Sequence, residues 1–168
     1  LAHSQNRISQ ISLIGLVMDE STQKKRDLLS LSDLSPQEFE NLFELAGRLK
    51  KAQKKGEPTP SLKGKTLGMI FEKPSTRTRV SFEVGMFQLG GQALFLSSKE
   101  IQLGRGETIS DSAKVLSRFV DGLMVRTFAH KNIETMAHHA SIPVINGLSD
   151  DYHPCQVLTD LFTYGEHR

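Results

Sequence analysis

Between positions 75 and 79 the chain reads Ser75-Thr76-Arg77-Thr78-Arg79, hydroxyls interleaved with guanidiniums. The segment just before it, Thr66-Leu67-Gly68-Met69-Ile70-Phe71, is apolar and reads as a buried strand. The segment just after it, Val80 onward, can carry a helix. A strand that turns into a helix through such residues is built to hold an anion. The first backbone N–H groups of the helix have no intrahelical partner, and the positive end of its dipole points the same way. Ser75, Thr76 and Thr78 add hydroxyl donors, and Arg77 adds a planar fork that fits phosphate. The alternative is a surface turn with an ordinary cap. Capping, however, employs one side chain, and four phosphate-compatible side chains in a row exceed that need.

Two further clusters sit where strands should end. Arg126 closes the apolar run Gly122-Leu123-Met124-Val125. After Val144-Ile145-Asn146-Gly147 comes Asp150-Asp151-Tyr152-His153-Pro154-Cys155-Gln156. Here His153 reads as an N-cap with Pro154 in the first helical turn. Three positions apart, His153 and Gln156 then share one side of the helix start and face the strand ends. Each of these has a structural alternative: a solvated strand-end arginine, and a capped helix with a structural histidine. Other chemistries lack their signatures. His138 and His139 are adjacent and cannot serve one metal site, and no Cys or His set has zinc spacing. There is no G-x-S-x-G elbow, no Walker A loop and no G-x-G-x-x-G dinucleotide fingerprint.

The elements that must hold these clusters alternate. Strands are expected at 66–71, 92–96, 122–126 and 143–146, and helices at 76–89, 108–119, 133–140 and 154–164. Gly90-Gly91 supplies a C-terminal stop, and Thr108-Ile109-Ser110-Asp111 reads as a capping box. Ahead of them, Ser35-Pro36-Gln37-Glu38 opens a helix whose apolar face is Phe39, Leu42, Phe43, Ala46 and Leu49, ending within 50–55. This βαβα order predicts an α/β fold: a parallel sheet with helices on both faces, doubly wound, Rossmann-like and three-layered. Ligands of such sheets collect at the carboxyl ends of the strands, where all three clusters fall.

The chain has 168 residues, enough for one domain with a full core, and a formal net charge of +2. That balance implies no strongly polyelectrolyte partner. The lysines near 50–55 carry no base-reading pattern and suit a helix C-terminus, so no nucleic-acid partner is expected. No apolar run approaches the roughly 20 residues that span a bilayer, so no membrane partner is expected either. The lone Cys155 cannot form an internal disulfide, which points to a reducing compartment. Residues 1–24 are polar and patternless and read as a leader or flexible arm, possibly non-native, with the domain occupying 25–168.

Together, Phe-Glu-Lys-Pro-Ser-Thr-Arg-Thr-Arg at 71–79, Gln102-Leu103-Gly104-Arg105-Gly106-Glu107-Thr108, Asn146-Gly147-Leu148-Ser149-Asp150 and His153-Pro154-Cys155-Gln156 resemble the aspartate/ornithine carbamoyltransferase family. The Ile-Phe-Glu-Lys lead-in and the Asn-Gly-Leu-Ser-Asp stretch are closest to its ornithine branch. The resemblance runs from about Lys25 to Arg168 and implies the carbamoyl-phosphate-binding domain alone, without the domain that binds the amino-acid acceptor. It implies that Ser75, Thr76, Arg77 and Thr78 bind the phosphate. Thr78, Arg126 and His153 contact the carbonyl oxygen as the catalytic set, and Gln156 holds the carbamoyl amide. Gln102 reaches a neighbouring subunit's site, implying a homotrimer, and Arg79 is structural. Carbamoyl transfer to the δ-amine of ornithine, as in arginine biosynthesis, needs no metal and no organic cofactor. The expected location is the cytoplasm, or the mitochondrial matrix of a eukaryote. Other acceptors (aspartate, acetylornithine, putrescine) and a non-catalytic phosphate-binding or assembly module remain the alternative readings.

Overall fold

Strands buried on both faces must be apolar at consecutive positions, and the runs singled out above at 66–71, 122–126 and 143–146 form such strands, whereas the run at 92–96 forms a half-exposed edge strand. The computed structural model describes residues 25–97 and 106–168. The leader expected at 1–24 and the residue Gln102 lie outside the described residues. The described elements run α1 (Pro36–Lys54), β1 (Thr66–Phe71), α2 (Thr76–Gln88), β2 (Gln92–Ser97), α3 (Ile109–Leu116), β3 (Gly122–Arg126), α4 (His130–His139), β4 (Val144–Leu148) and α5 (Pro154–Glu166).

The four strands pair in parallel in the order β2-β1-β3-β4. The chain steps from β1 outward to β2, crosses back past β1 to β3, and continues to β4. Right-handed crossovers then put α2 on one face and α3 and α4 on the other, because the direction of travel reverses. The packing agrees. Ile70, Leu123, Val125 and Val144 pack with Ala113 of α3 and with Ile133, Met136 and Ala137 of α4. Leu67, Met69, Phe71 and Met124 pack on the other face with Met86 of α2. Ile145 meets Leu42 of α1 and Leu158 of α5. The result is the doubly wound, three-layer sheet that the sequence predicts. Leu28 adds an isolated parallel bridge to Ile145, so the start of the described chain lies along β4 and covers part of its edge.

Ends differ by a few residues, each for a local reason. Helix α3 stops at Leu116 rather than 119: Ser117 Oγ donates to Ala113 O at 2.6 Å, and Arg118 and Phe119 continue as tightened turns bonded to Val115 and Leu116. Its expected capping box is only half formed. Thr108 Oγ1 accepts from Asp111 N–H, but the Asp111 carboxylate takes the Thr108 hydroxyl. Helix α4 begins at His130, three residues before the expected start, with no side-chain cap to mark it. Strand β4 runs two residues further, to Leu148, and starts one later than expected. The capping box at Ser35 and Glu38 forms as predicted, and the chain leaves α2 through its C-cap Leu89 and then Gly90, whose φ of 80° needs the freedom of glycine.

Candidate anion-binding site at the strand ends

The topology makes a crevice. After β1 the chain turns toward β2 and after β3 toward β4, so the loops leaving these neighbouring strands diverge at the switch point. Phe71 and Arg126, the last residues of β1 and β3, are in register across that gap. Four residues beyond Phe71, Ser75 caps α2. Its Oγ accepts from Thr78 N–H at 3.3 Å and donates to Thr78 Oγ1 at 3.0 Å. The cap consumes the Thr78 amide and leaves those of Thr76 and Arg77 free by helix geometry. Thr78 Oγ1, having accepted, keeps its proton to donate. Thr76 and Arg77 are exposed, while Ser75 and Thr78 are half-buried.

Arg126 enters the crevice from β3. Its Nε is buried without a hydrogen-bond partner, and no ion pair neutralises it among the described residues. Burial, followed by the nearby Arg77 cation, holds its pKa below the usual arginine value. His153 stands at the N-cap position of α5 but makes no capping bond, and its Nδ1 is also buried and unpartnered. Burial and then Arg126 lower the imidazole's pKa, with Asp160 opposing them. Arg126 therefore lies close enough to feel Arg77 on one side and to act on the His153 imidazole on the other, so the three side chains converge from three strand ends. The sequence expectation that these clusters meet agrees with this geometry. Gln156 occupies the first turn of α5, exposed, with its Nε2 donating to Asp160 Oδ1 at 2.8 Å. Arg79 turns aside: it pairs with Glu83 at 2.8 Å and lies 4.0 Å over the Phe95 ring.

What aligns Arg126 is partly tertiary. Between Val125 and Arg126 the pairing of β3 with β4 slips by one residue, so Val125 faces Asn146 but Arg126 faces Leu148. Gly147 is the extra residue. A Cβ there would meet Met124 Sδ at 2.3 Å, so any larger residue would have to displace the buried Met124 side chain. Such bulges re-aim side chains beside binding sites.

Two residues the sequence reading passed over also tie the loops together. The Glu72 carboxylate accepts from the Thr127 hydroxyl and from Phe128 N–H, and Lys73 pairs with Asp150 while lying 4.3 Å over the Phe128 ring. Their signal was position alone, one or two residues past a strand end.

Below His153, buried Asn146 donates to Leu29 O and Tyr152 O, at 2.8 and 3.3 Å, and steadies the loop that delivers the imidazole. Cys155 is engaged in packing, its thiol pushed up to about 12 by burial, and has no nucleophilic character.

The rest of the surface competes poorly. A shallow cleft of about 650 Å³ beside α4 is lined by Lys25, Asp27, Lys131 and Glu134, but its lysines already pair with its carboxylates. Among the described residues no group of His, Cys, Asp and Glu has the geometry to hold a metal ion. No helix there is long and apolar enough to cross a membrane.

Residues 26–166 match the family model described as the aspartate/ornithine carbamoyltransferase carbamoyl-P binding domain. The ornithine carbamoyltransferase of Syntrophotalea carbinolica is 62% identical over 144 residues, covering 86% of this chain and 48% of the relative. That of Oceanobacillus iheyensis is 64% identical over 143 residues, covering 85% and 44%. The solved ornithine carbamoyltransferase of Pyrococcus furiosus superposes with a TM-score of 0.83 at 56% identity, over 84% of this chain and 45% of that one. The chain thus spans about half the length of the curated relatives it matches.

Proposed function

The chain belongs to the aspartate/ornithine carbamoyltransferase family, and on that premise we propose that its strand-end crevice binds carbamoyl phosphate. The observation that carries the reading is the pair of buried, unpartnered nitrogens, Arg126 Nε and His153 Nδ1, set beside the open N-terminus of α2. The phosphate lies on the Thr76 and Arg77 amides, the hydroxyls of Ser75, Thr76 and Thr78, and the Arg77 guanidinium. The carbonyl oxygen faces Arg126, His153 and the Thr78 hydroxyl, and Gln156, released from Asp160, takes the carbamoyl amide.

The transfer follows from these contacts. A neutral amine attacks the carbonyl carbon, and negative charge grows on the oxygen. The donors already aimed at that oxygen stabilise the charge without rearranging. Phosphate departs with the C–O bond pair into the cationic cradle, and the attacking nitrogen gives up its proton to the departing phosphate. Fixing both reactants in place supplies much of the remaining acceleration. The close relatives named above are ornithine carbamoyltransferases, which favours ornithine as the acceptor and citrulline as the product. The acceptor site then belongs to the half of the relatives that this sequence does not cover.

Two apolar stripes suit the assembly this implies. Val80, Val84 and Phe87 line the outer face of α2 next to Leu94 and Phe95 of the β2 edge, and Val157, Leu161 and Tyr164 line α5. Phe87 is 79% exposed, a large burden for a free surface. The first stripe suits a neighbouring subunit of a homotrimer, to whose site Gln102 would reach, and the second suits the acceptor domain. A compartment that keeps its single cysteine reduced, the cytoplasm or the mitochondrial matrix, fits such a chain.

Calorimetric titration of the chain with carbamoyl phosphate, beside Arg77→Ala, tests the reading. Saturable binding that the variant loses is expected, with no citrulline formed from ornithine by this chain alone. Absence of binding by a folded sample would overturn the site, and citrulline formed at a brisk rate would overturn the division of labour.

A further inference from the structure

Arg126 poses a physical problem. It is a partly buried cation, repelled by Arg77, with an unbonded Nε and no carboxylate partner among the described residues, so no described side chain holds its guanidinium in place. Its position has to come from its backbone. On the β4 side that backbone is set by the slipped pairing, and Thr127 N–H donates to Leu148 O at 3.0 Å. On the β1 side it is set by Glu72. The Glu72 amide donates to Arg126 O at 2.8 Å, and its carboxylate receives the two donors that follow Arg126, the Thr127 hydroxyl and Phe128 N–H. A carboxylate one residue from the register partner of an arginine would ordinarily be taken for its counter-ion. Here it is spent on neutral donors, which leaves the arginine un-neutralised.

We propose that Glu72 is a positioning residue: by gripping Thr127 and Phe128 it fixes the exit of β3, so that Arg126 is presented to an anionic ligand rather than quenched or swung into solvent. The inference rests on the carbamoyl phosphate reading only for its consequence, a correctly placed donor to the carbonyl oxygen. The contacts themselves exist without ligand, and so does the test.

His153 reports where Arg126 is. The charged groups acting on its imidazole are Arg126, which lowers its pKa, and Asp160, which raises it. The measurement is an NMR titration of His153 in the ligand-free chain for the wild type, Glu72→Ala and Glu72→Gln. Deleting a nearby negative charge by itself lowers an imidazole pKa, whereas releasing Arg126 raises it, so the two effects have opposite signs. In Glu72→Ala, which loses both acceptors, the His153 pKa is expected to rise toward the ordinary value of about 6.5. Glu72→Gln removes the same charge but keeps a carbonyl acceptor, and should leave His153 at or below its wild-type value. Equal behaviour of the two variants, or no rise in Glu72→Ala, overturns the proposal. Should Glu72→Ala fail to fold, Thr127→Val decides: it removes one of the two grips from a buried site of the same shape, and an unchanged His153 pKa there overturns it too. A wild-type chain that binds no carbamoyl phosphate would defeat the earlier reading while leaving this titration to judge Glu72.

Discussion

The two ends of the same sheet obey opposite rules. At the amino ends of the strands charges are paired and backbone donors are satisfied. Asp121 accepts from Thr66 N–H at 2.8 Å and from Lys65 at 2.9 Å, and Asp27 accepts from Val144 N–H at 2.8 Å and from Lys25. At the carboxyl ends Arg77, Arg126 and His153 converge without an ion-pair partner among the described residues, and the nearby described carboxylates bind elsewhere: Glu72 to Thr127 and Phe128, and Asp150 to Lys73. The amino end is arranged for stability, and the carboxyl end leaves donors unpaired at a cost in stability, as the proposed anion site requires.

The strongest way to break this contrast is Arg77→Ala. A charge-assisted contact to phosphate is worth about 1.5–3 kcal/mol, so carbamoyl phosphate affinity should fall by roughly 10- to 100-fold. The thermal midpoint should hold or rise, because repulsion of Arg126 is relieved. A fall in melting temperature matching the fall in affinity would mean that the carboxyl end is ordinary structure. Next comes Gly147→Ala, where the bulge puts packing and site at one point. Its methyl group collides with Met124, costing about 1–3 kcal/mol by overpacking, and both the melting midpoint and affinity should drop. Retention of both would show that the bulge does not constrain Arg126.

Asp121→Ala is the counterpart at the amino end. It strands the Thr66 N–H and frees Lys65, so about 1–2 kcal/mol of stability should be lost with binding unchanged. A binding defect of comparable size would dissolve the distinction between the ends.

The smallest effect is on pH dependence, and it separates the ends by window. His153 titrates below its ordinary value of about 6.5, so between that value and its folded pKa the unfolded chain binds more protons. Stability therefore declines as pH falls below about 6.5 and levels off once folded His153 is protonated. Burial raises the Asp121 pKa, but Lys65 and Thr66 N–H outweigh it and the net shift is downward. Its contribution is present above about 3.9 and is lost only as pH falls through that region. Urea melts from pH 7 to 3 should show two separate declines, the upper one absent in His153→Gln. A single decline near pH 4 would remove His153 from the account.

Much of this was legible in the residues. The apolar runs marked the three inner strands because a strand buried on both faces must be apolar throughout, and the edge strand β2 showed as a further apolar run, while proline, glycine and hydroxyl caps marked most helix ends by local chemistry. Alternation of the elements implied a parallel sheet, and the hydroxyl-arginine run at 75–79 pointed to the proposed anion site because few other uses collect those groups. What stayed hidden depends on contacts between distant segments. Helix α4 begins without a cap, so its first turn follows from packing of Ile133 and Met136 on the sheet. That Arg126 lacks a counter-ion could not be read from a sequence with Glu72, Asp150 and Asp151 in its motifs. Only the strand order, which brings β1, β3 and β4 side by side, and the one-residue slip at Gly147 decide which carboxylate meets which donor. Residue types determined what chemistry this protein can do, through local propensity and side-chain character. The tertiary structure decided which of those groups stay unpaired, because pairing is a matter of ångströms between residues far apart in the chain.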